Sequence, residues 1–404
     1  MTPSRSTPTP TVLLYAQDQH GLGHITRTLT VARTVLAAYP TVVAYIATKS
    51  PIAGTFTLPE RCDYIKLPSM LTSDARQLSD AEAEAARQHF RMIRSQILRD
   101  AALGLAPDLV LVDHEPLGAK GEFTDGLYAL KASRPGTRFV FGLRDITDDV
   151  DRIRTQWRAL GVYEAFESLY DGIAVYGSPT LYDVAQAYDI PASVRHKLHY
   201  CGYIVRDLPT EDPRTLRRQL GLPESGPLVL GTVGSGSDGY PVLEAAQGAM
   251  ERLRGKVPDL HAIMVTGPFM PADQRALLEA RATAQCRVVT QADNVQLMAA
   301  ADAVVSMGGY NSVCEALALA RPLVIVPRAT HKIEQQIRAE TLAARGLARW
   351  IHPRVLSETS LAEAVEWALG WNPQAYAGHV REVIPSFDGA GRLTAYLARW
   401  LGGD

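Results

Sequence analysis

The sequence predicts an α/β protein made of two doubly wound parallel-sheet domains that face a central cleft. Two observations carry this. Short apolar segments bounded by Gly, Pro or Asp alternate with longer amphipathic ones, the rhythm of buried parallel strands joined by helices. At 404 residues, with 47% hydrophobic and 21% charged residues, the chain also exceeds one typical core and suits two of about 200 residues each.

In the first half the expected strands are Val12–Ala16, Val42–Ala47, Tyr64–Leu67, Leu109–Asp113, Phe139–Leu143, Gly172–Tyr176 and Leu198–Cys201. Helices are expected at Ile25–Ala38, Ser79–Leu103, Glu122–Ala132, Asp151–Ala159 and Thr180–Ala187. Asp207-Leu208-Pro209-Thr210-Glu211-Asp212-Pro213 then reads as an exposed connector. The rhythm restarts with strands at Leu228–Val233, Ala262–Thr266, Arg287–Thr290, Ala303–Ser306, Leu323–Val326 and Ala348–Ile351. Helices fall between these strands, and the last two expected are Leu361–Leu369 and Ala390–Leu401. The expected division is a disordered tail over 1–10, a first domain over 11–204, a linker over 205–213, a second domain over 214–384 and a terminal helix over 385–404.

Composition excludes several function classes. A formal net charge of −2 gives no support to a nucleic-acid partner. Cys62, Cys201, Cys286 and Cys314 form no CxxC pair, so neither a zinc site nor a disulfide framework is expected. No apolar run approaches the roughly 18 residues of a membrane span, and the first ten residues lack the apolar core of a signal peptide. The expected location is the cytoplasm. The segment Arg87–Arg99 is amphipathic and basic, with Phe90, Ile93, Ile97 and Leu98 as its stripe. A core helix with a solvated basic face is preferred there over association with a membrane surface.

The chemistry concentrates in two glycine turns. In Val304–Leu347, Ser306-Met307-Gly308-Gly309-Tyr310-Asn311-Ser312 leads from a buried strand into a helix. Backbone N–H groups and the helix dipole there suit an anion, although Asn311 and Ser312 are also ordinary capping residues. Glu315, one turn on, is placed to accept hydrogen bonds from a ribose diol. Glu334 and Gln335 open a further helix beside the turn, where they can meet sugar hydroxyls, and Arg328 and His331 can offset diphosphate charge in place of a metal. The other turn, Gly21-Leu22-Gly23-His24, follows the first strand and is half of a dinucleotide fingerprint that fails at Thr26. His24 suits a general base, because a helix N-terminus disfavours protonated imidazole; the competing role is to cap the helix or bond a loop carbonyl. His20 is the runner-up. Asp113, at the end of its strand, can orient such a base, or it can cap the next helix or meet Lys120. Arg144 can hold an acceptor or pyrophosphate oxygen, or pair with Asp145, Asp148 or Asp149.

The pattern GGxNSxxEAL, RPLVIVPR, EQQxRAExLxxxG resembles the donor-binding half of family 28 glycosyltransferases, which include the lipid II-forming N-acetylglucosaminyltransferase. GLGH followed by Arg27 resembles the GxGHxxR loop of the same group and of related nucleotide-sugar hydrolases, in which the histidine is the proposed base. The resemblance implies a GT-B fold of two Rossmann-like domains, a nucleotide-diphosphate sugar donor, no required metal and no further cofactor. It also implies that Ser235, in the Gly234–Gly239 loop, faces the donor diphosphate, that backbone near Val295 reads the base while Met298 packs on it, and that the last helix crosses back to the first domain. Ile333 departs from the family, which often carries Asp or Asn there.

The expected function is a metal-independent inverting glycosyltransferase using a UDP- or dTDP-type donor and a small-molecule or lipid-linked acceptor. The alternatives are a nucleotide-sugar hydrolase on the same scaffold or a non-catalytic nucleotide-sugar binding protein. A 2-epimerase is weaker, because its acidic residues are not found.

Overall fold

The computed structural model describes residues 9–17, 23–69, 79–329 and 333–402. Most of the expected disordered tail lies outside them, as do His20, His331 and most of the Met70–Ser79 segment. The first sheet contains β1 (Thr11–Ala16), β2 (Val43–Thr48), β3 (Cys62–Lys66), β4 (Leu109–Asp113), β5 (Arg138–Arg144), β6 (Gly172–Tyr176) and β7 (Leu198–Tyr200). Their order is β3-β2-β1-β4-β5-β6-β7. The second contains β8 (Leu228–Thr232), β9 (His261–Val265), β10 (Cys286–Val289), β11 (Ala303–Ser306), β12 (Leu323–Ile325) and β13 (Ala348–Trp350), in the order β10-β9-β8-β11-β12-β13. All the pairings are parallel.

Period-two alternation shows why both faces need helices. Val12, Leu14 and Ala16 of β1 join one core, while Leu13 and Tyr15 join another. In the second sheet Leu228 and Leu230 face the first core and Val229 a third. Strands buried on both faces read as continuous apolar runs, so their positions were legible in the sequence. The first core runs through both domains without a break.

Local signals explain the helices the sequence reading misplaced. The expected helix Thr180–Ala187 shrinks to Val184–Ala187, because Asp183 caps it by accepting from the Ala185 and Gln186 N–H groups. Gly161, in the left-handed region, ends helix Val150–Leu160 and starts an additional helix, Val162–Ser168. Helix Pro373–Val383 was also missed, although Asn372 caps it and Pro373 occupies its first turn. Helix Asp80–Leu105 begins with a Ser79–Glu82 capping box and buries only Ala83, Leu98 and Ala102 fully. Met92 is 59% exposed on it. No helix among the described residues is long and apolar enough to cross a membrane.

The segment before the linker is less exposed than its composition suggests. Cys201, Tyr203 and Ile204 are buried, and Ile204 forms an antiparallel bridge with Asp388. Tyr203 receives an N–H from Gly389 at 2.9 Å. Helix Gly389–Leu401 thereby starts beside the domain junction and lies against the first domain, where the Tyr396 ring stacks on His199 at 4.2 Å.

In each sheet the strand order reverses once, at β1/β4 and at β8/β11. A crevice forms at the C-terminal ends of the strands where this happens. Helix Gly23–Ala38 is the next described element after β1, and the Gly308–Gly309 turn follows β11.

Phe166, fully buried between Phe141 and Trp157, tests the first-domain core. Phe166→Ala should destabilise that domain by about 3–5 kcal/mol, read as an earlier urea transition.

Candidate active site

The site is built around Asp113, the last residue of β4, whose side chain is 5% exposed. A carboxylate buried this far must be paired. Helix Gly23–Ala38 supplies both partners, three residues apart on one face. Arg27 Nε donates to Asp113 Oδ1 at 3.1 Å and Nη2 to Oδ2 at 2.6 Å. His24 Nδ1 lies 2.7 Å from Oδ2. Burial raises the Asp113 pKa, but Arg27 and the hydrogen bond from His24 outweigh it and bring the group down to about 2. Burial likewise lowers Arg27, and the charge of Asp113 outweighs that and raises it.

An ionised carboxylate only accepts hydrogen bonds, so the neutral His24 ring carries its proton on Nδ1. Nε2 is then the acceptor. The 2.9 Å approach of Arg27 Nη2 to His24 Nδ1 follows from both groups crowding one oxygen. Asp113 therefore does not cap a helix or meet Lys120; it orients His24.

Two further residues complete this edge. His114 follows Asp113 with φ of 70°, a left-handed conformation that costs a non-glycine residue roughly 1–2 kcal/mol. Its N–H donates to Gly142 O at 2.9 Å. Its ring lies 4.8 Å from the His24 ring, centroid to centroid. Arg144 Nη2 is 3.3 Å from both His114 ring nitrogens and 2.9 Å from Glu334 Oε2. Instead of pairing with a neighbouring aspartate, Arg144 spans the cleft.

The second domain meets this edge through its own turn. Gly308 has φ of 79°, and a Cβ there would come within 2.8 Å of Ile325 Cγ2, so the turn needs glycine. The Gly308 N–H is held by Ser306 Oγ at 3.2 Å and its carbonyl by Arg338 Nη1 at 2.8 Å. Gly309 precedes helix Tyr310–Ala318 and has no side-chain cap, with open space where a Cβ would stand. Ser312 lies in the first turn of that helix. Asn311 Nδ2 donates to Gly23 O at 3.1 Å, so the two turns touch. Tyr310 is buried between Arg27 and Arg338, and its hydroxyl donates to Tyr176 O and accepts from the Ile204 N–H, both at 3.2 Å.

The remaining predicted residues are engaged as follows. Glu315 is 3% exposed, and Arg206 holds both its oxygens at 2.6 and 3.1 Å. Burial raises the Glu315 pKa and Arg206 opposes the rise. Arg328 Nη2 donates to Asp238 Oδ1 at 2.8 Å, and the Arg328 N–H donates to Gln335 Oε1 at 2.9 Å. Ser235 lies in the loop after β8, where its carbonyl accepts from the Phe269 N–H at 2.8 Å. The Ile333 N–H donates to Asp148 across the cleft at 2.9 Å. Met298 is wholly enclosed in the core, which corrects the expectation that it packs on a nucleobase; its helix turns that side inward. Among the described residues no group of three or more His, Cys, Asp or Glu is set to hold a metal.

Sequence reasoning missed His114, Arg206, Tyr310 and Arg338. His114 adjoins Asp113 and Arg206 adjoins the linker, but their partners are 30 and 109 residues away, beyond any local pattern.

Comparison with known proteins decides the class of the second domain. Residues 230–377 match the glycosyltransferase family 28 C-terminal domain. That match covers most of the second domain. An uncharacterized glycosyltransferase of Methanopyrus kandleri is 30% identical over 196 residues, 48% of this chain and 52% of the relative. The UDP-N-acetylglucosamine–N-acetylmuramyl-(pentapeptide) pyrophosphoryl-undecaprenol N-acetylglucosamine transferase of Lachnoclostridium phytofermentans is 39% identical over 71 residues, 17% of this chain and 20% of the relative. The matches thus span about half, or less, of these curated relatives. Among solved structures, the glycotransferase of kitacinnamycin aligns with a TM-score of 0.68 at 17% identity, covering 98% of this chain and all of that one. The calicheamicin glycosyltransferase CalG4 gives 0.67 at 18% identity over 98% and 99% of the two chains. Acinetobacter baumannii MurG gives 0.60 at 15% identity over 97% and 100%. The family 28 domain and its partner domain together form a GT-B fold.

Asp113 also sets an acid limit. Its pKa is lower folded than unfolded, so its contribution is present above the unfolded value near 4 and is lost as pH falls toward 2. The shift corresponds to about 2 kcal/mol. Asp113→Asn should flatten the fall in stability between pH 4 and 2, measured by urea denaturation across that range.

Proposed function

We propose that this chain is a metal-independent, inverting glycosyltransferase that moves a sugar from a nucleotide-diphosphate donor to an acceptor hydroxyl. The observation that carries the reading is the Asp113–His24 pair at 2.7 Å, on the turn that Asn311 of the family 28 domain touches. This supports reading His24 Nε2 as the acceptor nitrogen, on the helix whose first residue Asn311 touches.

In the proposed reaction His24 Nε2 takes the acceptor hydroxyl proton as the oxygen attacks the anomeric carbon. The bond from that carbon to the diphosphate oxygen breaks, and the diphosphate leaves with the electron pair. Imidazolium forms beside ionised Asp113, which stabilises it. The departing charge falls to backbone N–H groups of Gly309–Ser312, to the helix dipole and to Arg328 once it releases Asp238. Arg144 Nε is buried without a hydrogen-bond partner among the described residues, which leaves a donor for an anionic oxygen. Glu334 and Gln335 are the candidates for the sugar hydroxyls, and Glu315 for the ribose. A ribose at Glu315 requires Arg206 to yield at least one of its two bonds there. The relative's name supports a UDP-type donor, with dTDP as the other base class.

His24→Ala should lower kcat by at least about 100-fold while the nucleotide-diphosphate dissociation constant stays within about threefold. Turnover comparable to the unsubstituted protein would sink the assignment. Nucleotide release at a rate indifferent to every acceptor would instead make water the nucleophile and the protein a hydrolase.

Gly308→Ala forces a side chain into a left-handed turn already in contact with Ile325. It should weaken nucleotide-diphosphate binding by about 10-fold or more, measured by calorimetry.

A further inference from the structure

We propose that Arg338 is a positioning residue for the donor diphosphate: it holds the Gly308 carbonyl from behind and so leaves the Gly309 N–H directed outward as a donor for an anionic oxygen. The inference rests on the reading of the Gly308–Ser312 turn as the diphosphate site.

A trans peptide is planar, and its C=O and N–H point in opposite directions. Fixing the Gly308 carbonyl therefore fixes the Gly309 N–H, which belongs to the same peptide unit. Arg338 Nη1 donates to that carbonyl at 2.8 Å. Arg338 is 4% exposed, so the carbonyl is drawn inward and the Gly309 N–H is turned away from the buried guanidinium. The Gly308 N–H is tied in turn to Ser306 Oγ at 3.2 Å, which holds the turn from its other end. Gly309 is half-buried, between buried Gly308 and buried Tyr310. Its carbonyl receives the Val313 N–H at 3.0 Å, while its own N–H has no acceptor among the described residues.

Arg338 is itself placed by the other domain. Nη2 donates to Ile146 O at 3.2 Å, two residues past the Arg144 that ends β5. Glu334 and Arg338 stand one turn apart on helix Glu334–Ala344 and meet Arg144 and Ile146 in that order. One helix face thus docks on the end of β5, and that docking aims the guanidinium at the glycine turn. The Tyr310 ring flanks it, 5.8 Å from Arg338 Cζ, and Asp145 lines the same small cavity with an opposite charge. A guanidinium suits the place because its nitrogens lie in one plane and serve two carbonyls at once. The Gly308 peptide is thereby referred to the domain that carries the proposed base.

The test compares Arg338→Met and Arg338→Lys with the parent in the full chain. The ligands are UDP and uridine, or dTDP and thymidine where the parent binds those instead. In Arg338→Met the diphosphate dissociation constant should rise about 10-fold or more, while that of the nucleoside stays within about threefold. A general loss of structure would weaken both ligands alike. Arg338→Lys keeps the charge beside Asp145 but gives up the fork, so it should fold like the parent and bind the diphosphate about three- to tenfold more weakly. The second readout is the Gly309 amide resonance in protein carrying isotope-labelled glycine, which should shift in both variants without ligand. A diphosphate dissociation constant within about threefold of the parent in Arg338→Met would overturn the proposal, and so would equal losses for diphosphate and nucleoside. An unmoved Gly309 resonance would overturn it too, as would full affinity in Arg338→Lys, which would assign the effect to charge alone. If Arg338→Met does not fold, Arg338→Lys decides by the split between diphosphate and nucleoside and by the resonance. If the parent binds none of these ligands, the donor reading fails by itself, and the resonance still decides whether Arg338 sets the turn.

Discussion

Burying one carboxylate organises this molecule. Asp113 ends β4 at the point where the strand order of the first sheet reverses, and it is nearly closed off from water. Such a charge has to be matched by charges and donors of good geometry. Arg27 and His24 supply them from one helix face, and that fixes how the helix Gly23–Ala38 sits on its sheet. The same requirement settles the His24 tautomer. A stability demand and the proposed chemical role therefore fall on the same three side chains.

The two domains are held by polar contacts that converge on the same place. Tyr310 stands between Arg27 and Arg338 and bonds the end of β6 and the buried segment before the linker. Asn311 reaches Gly23, Ile333 reaches Asp148, and Arg144 reaches Glu334. Buried polar groups bonded this specifically fix orientation more than they add net stability. Asn311, after the glycine turn of the second domain, thereby meets Gly23 at the start of the helix that carries His24.

Several groups expected to meet a ligand are bonded within the protein: Glu315 to Arg206, Gln335 to the Arg328 N–H, and Arg328 to Asp238. Each pairing keeps a polar group satisfied. A nucleotide-diphosphate sugar would exchange these bonds for its own, so part of its interaction energy would go to displacing them.

The sequence by itself determined the strands, most of their helical crossovers and the position of the Gly308–Gly309 turn. These depend on local periodicity and on residues such as Gly308 whose conformation is written in their chemistry. It also made His24 and Asp113 candidates, because each stands at the end of a legible element. It did not determine which partner each would take. Asp113 had a helix cap and Lys120 as rivals, and Arg144 had three nearby aspartates; the structure gives them His24 with Arg27, and Glu334 with His114. Nor did it show that Arg206, in a segment read as a connector, would close over Glu315. Those pairings join residues up to 190 positions apart and exist only once both sheets are formed and packed. Only the tertiary structure could decide them, because a side chain's preference for a charged partner is general while its access to one is set by the fold.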